Sequence, residues 1–237
     1  MRYRIFIILA LVGLILAGCA ANKPIDHKAR LRAEMLRWEN FSSEGIVQVS
    51  YMGISLRKMF VLSKTRDELR FDVLDGGAMA MQSKPMLSAY MGEYISIQSP
   101  FAPQLEKLSG AVIKQNPLGY FASLDSLINV YSDEIVANRK IDAGSGIEIF
   151  FDQNLRVSRV TDTQSKSGVQ ISYLSNGNPD KLMINLDAKT SMELLFDKIR
   201  YGNAEIVPLP RPEPNTILQQ FLEQNAYRLI PENGEAE

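Results

Sequence analysis

The sequence predicts an α+β protein built on one antiparallel sheet, and three observations predict it. Short segments alternate apolar and polar residues, as in "GIVQVSYMG", where Val47, Val49 and Tyr51 fall against Gln48 and Ser50. Hairpin-type turns recur at close spacing: Gly144-Ser145-Gly146, Asp152-Gln153-Asn154, Ser167-Gly168 and Asn176-Gly177-Asn178. Helical periodicity falls between an early and a late group of strands, so the chain is a meander with segregated helices and not a series of βα units.

The amino terminus reads as an export signal. Arg2 and Arg4 are followed by an apolar run, Ile5 to Leu16, of signal length and short for a bilayer span. Leu16-Ala17-Gly18-Cys19 then resembles the lipobox of bacterial lipoproteins, in which the cysteine receives a diacylglycerol and becomes the first mature residue. Read that way, Cys19 is the lipid attachment site, and two or more acyl chains anchor stably at about 0.8 kcal/mol per buried methylene. Ala20 in place of an aspartate leans toward the outer membrane, lipid-anchored and facing the periplasm.

Elements follow in order. A helix is expected from His27 to Phe41, with Leu31, Met35 and Trp38 on one face and Arg30 paired with Glu34. Strands come next: "GIVQVSYMG", "ISLRKMFVLS" joined to it by Met52-Gly53, and "ELRFDVL" after a polar turn at Lys64 to Asp67. After "DGGAMAMQSKP" breaks the pattern, "MLSAYMGEYISIQS" reads as two short strands. Helical spacing covers about Pro103 to Lys114 and a second segment opened by Asn116-Pro117 and carried on by Leu118, Phe121, Leu124, Ile128 and Tyr131. From Glu134 the strands "EIVANRKI", "GIEIFFD", "RVSRVTD", "VQISYLS", "KLMINLD" and "SMELLFDKIRY" close the meander. "VPLPRPEP" reads as an extended spacer, and Asn215 as the cap of a short amphipathic stretch.

Composition excludes much. The chain of 237 residues has a net charge of −1, which argues against a nucleic-acid footprint. One cysteine and one histidine leave neither a thiolate zinc cage nor a multi-histidine metal site. The carboxylate pairs Asp72 with Asp75 and Asp133 with Glu134 read as solvated strand ends or turns, and Gly144-Ser145-Gly146 lacks the strand-to-helix setting of a nucleophile elbow. The sequence therefore points away from an enzyme, and to no cofactor and no metal.

A lipidated start, one helix, about five strands, a helical insertion and about six more strands resemble the periplasmic lipoprotein carrier and the outer-membrane lipoprotein receptor of the LolA/LolB-like superfamily. The likeness is carried by the helix ending in Trp38, by "GIVQVSYMGISLRKMFVLSKTRDELRFDVLDGG" and by "DKLMINLDAKTSMELLFDKIRYGNA". It implies a strongly curved sheet, an open half-barrel of about ten or eleven strands, with helices packed in its concave face. The division it implies is 1–18 signal peptide, 19–27 lipidated tether, 28–203 LolA/LolB-like domain and 204–237 proline-rich tail.

In that family the concavity takes lipoprotein acyl chains under a helical lid. Carried over, Val47, Leu56, Phe60, Phe71 and Val73 are candidate lining residues, and Leu118, Phe121 and Leu124 candidate lid residues; a dry core built from the same residues is the alternative. The receptor's exposed apolar loop corresponds to Asp75 to Pro85, with Met79 and Met81 as membrane-facing candidates, or else a strand with buried methionines. The function implied is binding of a hydrophobic ligand, most concretely acyl chains of lipoproteins during outer-membrane localisation. The rival is a structural or assembly lipoprotein that offers the sheet and tail to a protein partner.

Overall fold

The computed structural model describes residues 26–76, 84–110, 124–143, 146–165, 167–217 and 220, with only the backbone at 124–129. Helix α1 (His27–Leu36) is started by Asp26, whose carboxylate accepts from the Ala29 N–H at 3.0 Å. It is shorter than its periodicity predicts. The Trp38 and Glu39 N–H groups close tight turns onto Met35 and Leu36, and Phe41 already opens the first strand. The predicted Arg30–Glu34 pair does not form: Arg30 donates to Asn154 and Glu34 pairs with Arg37 at 3.2 Å.

Eleven strands follow: β1 (Phe41–Tyr51), β2 (Ile54–Lys64), β3 (Leu69–Leu74), β4 (Pro85–Met91), β5 (Ile95–Gln98), β6 (Lys140–Asp142), β7 (Ile147–Phe151), β8 (Val157–Asp162), β9 (Gly168–Tyr173), β10 (Pro179–Asn185) and β11 (Thr190–Tyr201). They form one open antiparallel sheet in the order β5-β4-β3-β2-β1-β11-β10-β9-β8-β7-β6. Only the β1–β11 join is long-range; every other neighbour is the next strand in sequence. This is the curved, unclosed α+β sheet that the sequence predicts.

Between β5 and β6 stand a 3-10 turn (Pro103–Leu108) and helix α2 (Leu124–Asn138). The helix overturns one expectation, because Glu134 to Asn138 is its last turn and not the start of a strand. The β-branched "EIV" lowers helix propensity only slightly, and burial of Ile135 against Leu31 and Met35 outweighs it. Arg139 ends the helix in the left-handed region at φ 56°, and its guanidinium donates to the Ile135 and Val136 carbonyls.

The register places an apolar residue on the same face of every strand. Across the sheet Ile141 pairs with Ile149, Ile149 with Val160, Ile171 with Leu182, Leu182 with Leu194, and Leu194 with Val47. Helices α1 and α2 pack on this inner face at the β6–β8 half, where Leu31, Met35, Ile135, Ile141, Phe151 and Leu155 form one buried cluster. The outer face is mostly polar, with Gln48, Arg57, Asp72, Ser88, Gln170 and Glu148 at the alternate positions.

Helix α1 also lies across the end of the sheet opposite the β1–β2 turn. Arg30 holds the β7–β8 turn through Asn154, and Arg37 holds the β9–β10 turn through Asn178 at 2.9 Å while stacking on Tyr201. Lys64 is buried there and donates to the Glu39 and Thr65 carbonyls. Burial pushes its ammonium below the usual lysine range.

Candidate functional site

The part of the inner face not covered by the described helices is centred on β1, β2 and β11. Val47, Phe60, Leu194 and Phe196 are buried there, and Leu62, Phe71, Val73, Leu182 and Met192 pack against them half-buried. Phe60 is the hub. Its ring meets Phe71 at 5.7 Å and Phe196 edge-on at 5.8 Å. The residue opposite Phe60 is Gly45, at a bulge where β1 approaches β11 so closely that a Cβ would lie 1.9 Å from the Leu195 carbonyl oxygen. The glycine thus lets the strands close together and leaves room for the ring.

Four of the five predicted lining residues, Val47, Phe60, Phe71 and Val73, meet in this cluster. Leu56 shares their face but stands 53% exposed, outside the cluster, because β3 begins to pair with β2 only at Met59. The lid candidates Leu118 and Phe121, the loop candidates Met79 and Met81, and the attachment residue Cys19 lie outside the described residues, and only the backbone of Leu124 is described.

Sequence reasoning missed the rim of this face. Val49, Tyr51, Ile54 and Leu56 face each other across the β1–β2 hairpin in register and are 37–75% exposed, with Met52 at 61% and Leu186 at 57% beside them. Alternation puts Tyr51 on the apolar face, as it does Ile54 and Leu56 when applied to "ISLRKMFVLS", but only the staggered strand ends show that nothing described covers them.

Several polar groups at this end are engaged, while Arg57 and Lys189 stand exposed. Lys58 pairs with Asp75 at 3.0 Å, and the Asp187 carboxylate accepts from the Lys189 N–H and the Thr190 hydroxyl, which holds it below the usual carboxylate range. The predicted carboxylate pairs do not converge. Asp72 is held by Arg70 and Ser88, whereas Asp133 is bound to Lys28 on α1. Among the described residues no group of three or more His, Cys, Asp or Glu could hold a metal ion, and no helix is long and apolar enough to cross a membrane.

The tail is seated on the outer face. Instead of an extended spacer, residues 204–215 run over β3–β5, with the Val207 carbonyl accepting from Arg70, Leu209 from the Tyr94 hydroxyl and Pro210 from the Ser96 hydroxyl. Leu209 is buried and Arg211 lies over the Tyr94 ring. An extended proline-rich chain makes no internal hydrogen bonds, so its carbonyls are free for such donors. A hollow of about 500 Å³ lies between this tail, β5 and the 3-10 turn; its lining is mixed, with Glu106, Lys107 and Arg211 beside Ile97, Pro212 and Ile217.

No protein-family model and no curated protein matches the sequence. Solved structures similar in chain course include a domain provisionally named an outer membrane lipoprotein-sorting protein from Vibrio parahaemolyticus, 9% identical over 76% of this chain and 93% of that one, TM-score 0.40. A DUF1329 family protein from Desulfovibrio piger is 8% identical over 76% and 92%, TM-score 0.35. The MucA/MucB complex of Pseudomonas aeruginosa is 12% identical over 76% of this chain and 59% of that one, TM-score 0.32. The helix, five strands, helical segment and six strands described here are the order that the LolA/LolB-like resemblance implies.

Proposed function

We propose that the protein is an envelope lipoprotein, anchored through Cys19 in the outer membrane, that binds acyl chains on its inner face, without catalysis or cofactor. One observation carries this reading. The half-buried ring of Leu62, Phe71, Val73, Leu182 and Met192 surrounds a small buried cluster, and leads through Val47, Val49 and Met192 to an exposed apolar rim, with the Lys58–Asp75 pair beside this path on β2. A polymethylene chain gains about 0.8 kcal/mol per methylene on such a surface and needs no polar contact. In the scaffold reading the proline-rich segment would dock a partner, whereas here it is occupied in cis.

The test is lipid content and probe uptake. Protein carrying Cys19→Ser is expected to co-purify with lipid detectable by mass spectrometry and to take up a fluorescent fatty acid. Met192→Glu on the inner face should abolish uptake, and Gln170→Glu on the outer face should leave it unchanged. Absence of both lipid and uptake in the parent protein would sink the reading.

A further inference from the structure

Tyr51, Met52, Ile54 and Leu56 make one exposed apolar patch at the end of the sheet away from α1, and Leu186 is exposed one strand further on, beyond Thr190. Isolated surface leucines are ordinary, but a contiguous patch marks an interaction site. This patch also protrudes and is held stiffly. β1 keeps its ladder with both β2 and β11 to the last residue, where Tyr51 faces Ile54 on one side and Thr190 on the other. The Met52 N–H donates to the Lys189 carbonyl at 3.1 Å, which stitches the β1–β2 and β10–β11 turns together. On the other flank, Ile54 to Lys58 extends beyond the start of β3 pairing.

The apex residue is itself unusual. Met52 and Gly53 sit at φ 49° and 85°, the pair of left-handed positions of a type I′ turn, where Asn or Asp would be the usual first residue. An unbranched apolar side chain is therefore presented at a position that backbone preference would give to a polar one. Around the apolar tip stand the exposed cations Arg57 and Lys189, with Lys58 tied to Asp75; the nearby Asp187 carboxylate is turned into its own turn.

An apolar apex, a tyrosine and flanking cations fit the interfacial zone of a bilayer with anionic headgroups. We propose that the β1–β2 hairpin tip is a bilayer-docking element, which enters the headgroup region of anionic phospholipid. It sets the rim of the inner face against the lipid; the consequence for chain transfer rests on the ligand reading above, but the docking does not.

Local depth at the tip tests this. In full-length protein carrying Cys19→Ser, a thiol introduced by Ile54→Cys is labelled with a polarity-sensitive fluorophore, and Gln153→Cys at the opposite end serves as control. With vesicles of phosphatidylethanolamine and phosphatidylglycerol the label at 54 should shift to the blue and be quenched by nitroxide-bearing lipid, while the label at 153 stays in water. Arg57→Gln and Lys189→Gln should each lower the ratio of inserted to free label roughly fivefold. A label at 54 that stays in water overturns the proposal. So does a blue shift that appears without vesicles as protein concentration rises, which would assign the patch to a second copy or an added strand. Fatty-acid uptake by the Arg57→Gln and Lys189→Gln protein, measured without vesicles, separates the two readings: docking can fail with uptake intact, or the reverse.

Discussion

Phe60 and Leu56 lie on the same face of β2, four residues apart, and alternation treats them alike. The structure does not. Phe60 has Gly45 on one side, Val73 on the other and two aromatic rings against it, whereas Leu56 has passed the end of β3. Phe60→Ala should therefore cost about 3–5 kcal/mol in urea unfolding, and Leu56→Ala should stay within about 0.5 kcal/mol. Equal losses would mean that the rim is packed. Three tyrosines give a pH dependence at the same scale. Burial raises the hydroxyls of Tyr90, Tyr173 and Tyr201, and the Glu68 carboxylate accepting from Tyr90 adds to it there. Because the folded state then holds protons that the unfolded chain releases, stability present below the unfolded tyrosine value of about 10 is lost as pH rises beyond it. Melting temperature should fall steeply above about pH 10, and less steeply in Tyr173→Phe; a flat profile would contradict the burial of these hydroxyls.

The meander was legible at the level of elements because its strands are neighbours in sequence and their turns carry Gly, Asn and Asp. Two elements were not, each because a distant contact outweighs a local preference. The "EIVAN" segment reads as strand alone, yet finishes α2 because Ile135 is needed in the α1–α2 cluster. The protection of the β5 edge is equally invisible in sequence. Ser109 imitates a neighbouring strand, donating its hydroxyl to the Ile97 carbonyl and accepting from the Ile97 N–H at 2.7 Å, while the Gly110 N–H reaches the Ile95 carbonyl. Ser109 is buried, so Ser109→Ala leaves a buried backbone pair without partners. It should lower stability by about 1–3 kcal/mol, and hydrogen exchange at Ile97 should accelerate by more than exchange at Val160 in the opposite half of the sheet. Equal acceleration would point to global loosening and not to an edge lock.

At the scale of the whole molecule the sheet is one layer thick in places, and each face is closed by a segment distant in sequence, a placement that periodicity does not announce. The inner face of β6–β8 is closed by α1, which returns from the other end of the chain to hold two turns through Arg30 and Arg37. The outer face of β3–β5 is closed by residues 204–215, whose proline-rich composition alone speaks only of an extended backbone. Such long-range closures decide which half of an open sheet stays rigid. Leu209 is the one buried side chain of this strap, so Leu209→Ala should cost about 2–4 kcal/mol. Ending the chain after Asn203 removes Leu209 together with the acceptors of Arg70, Tyr94 and Ser96. Arg70 keeps its pair with Asp72, but the hydroxyls of Tyr94 and Ser96 must find water. The shortened protein should show faster hydrogen exchange across β4 and β5 with β8 to β10 unchanged, since among the described residues the two halves of the sheet are joined through β1 and β11. Because the inner-face cluster is built from β1, β2, β3, β10 and β11 without the tail, fatty-acid uptake should survive the truncation. Unchanged exchange in β4 and β5 would show that the strap lies on the sheet without holding it, and lost uptake would show that the outer strap shapes the inner face.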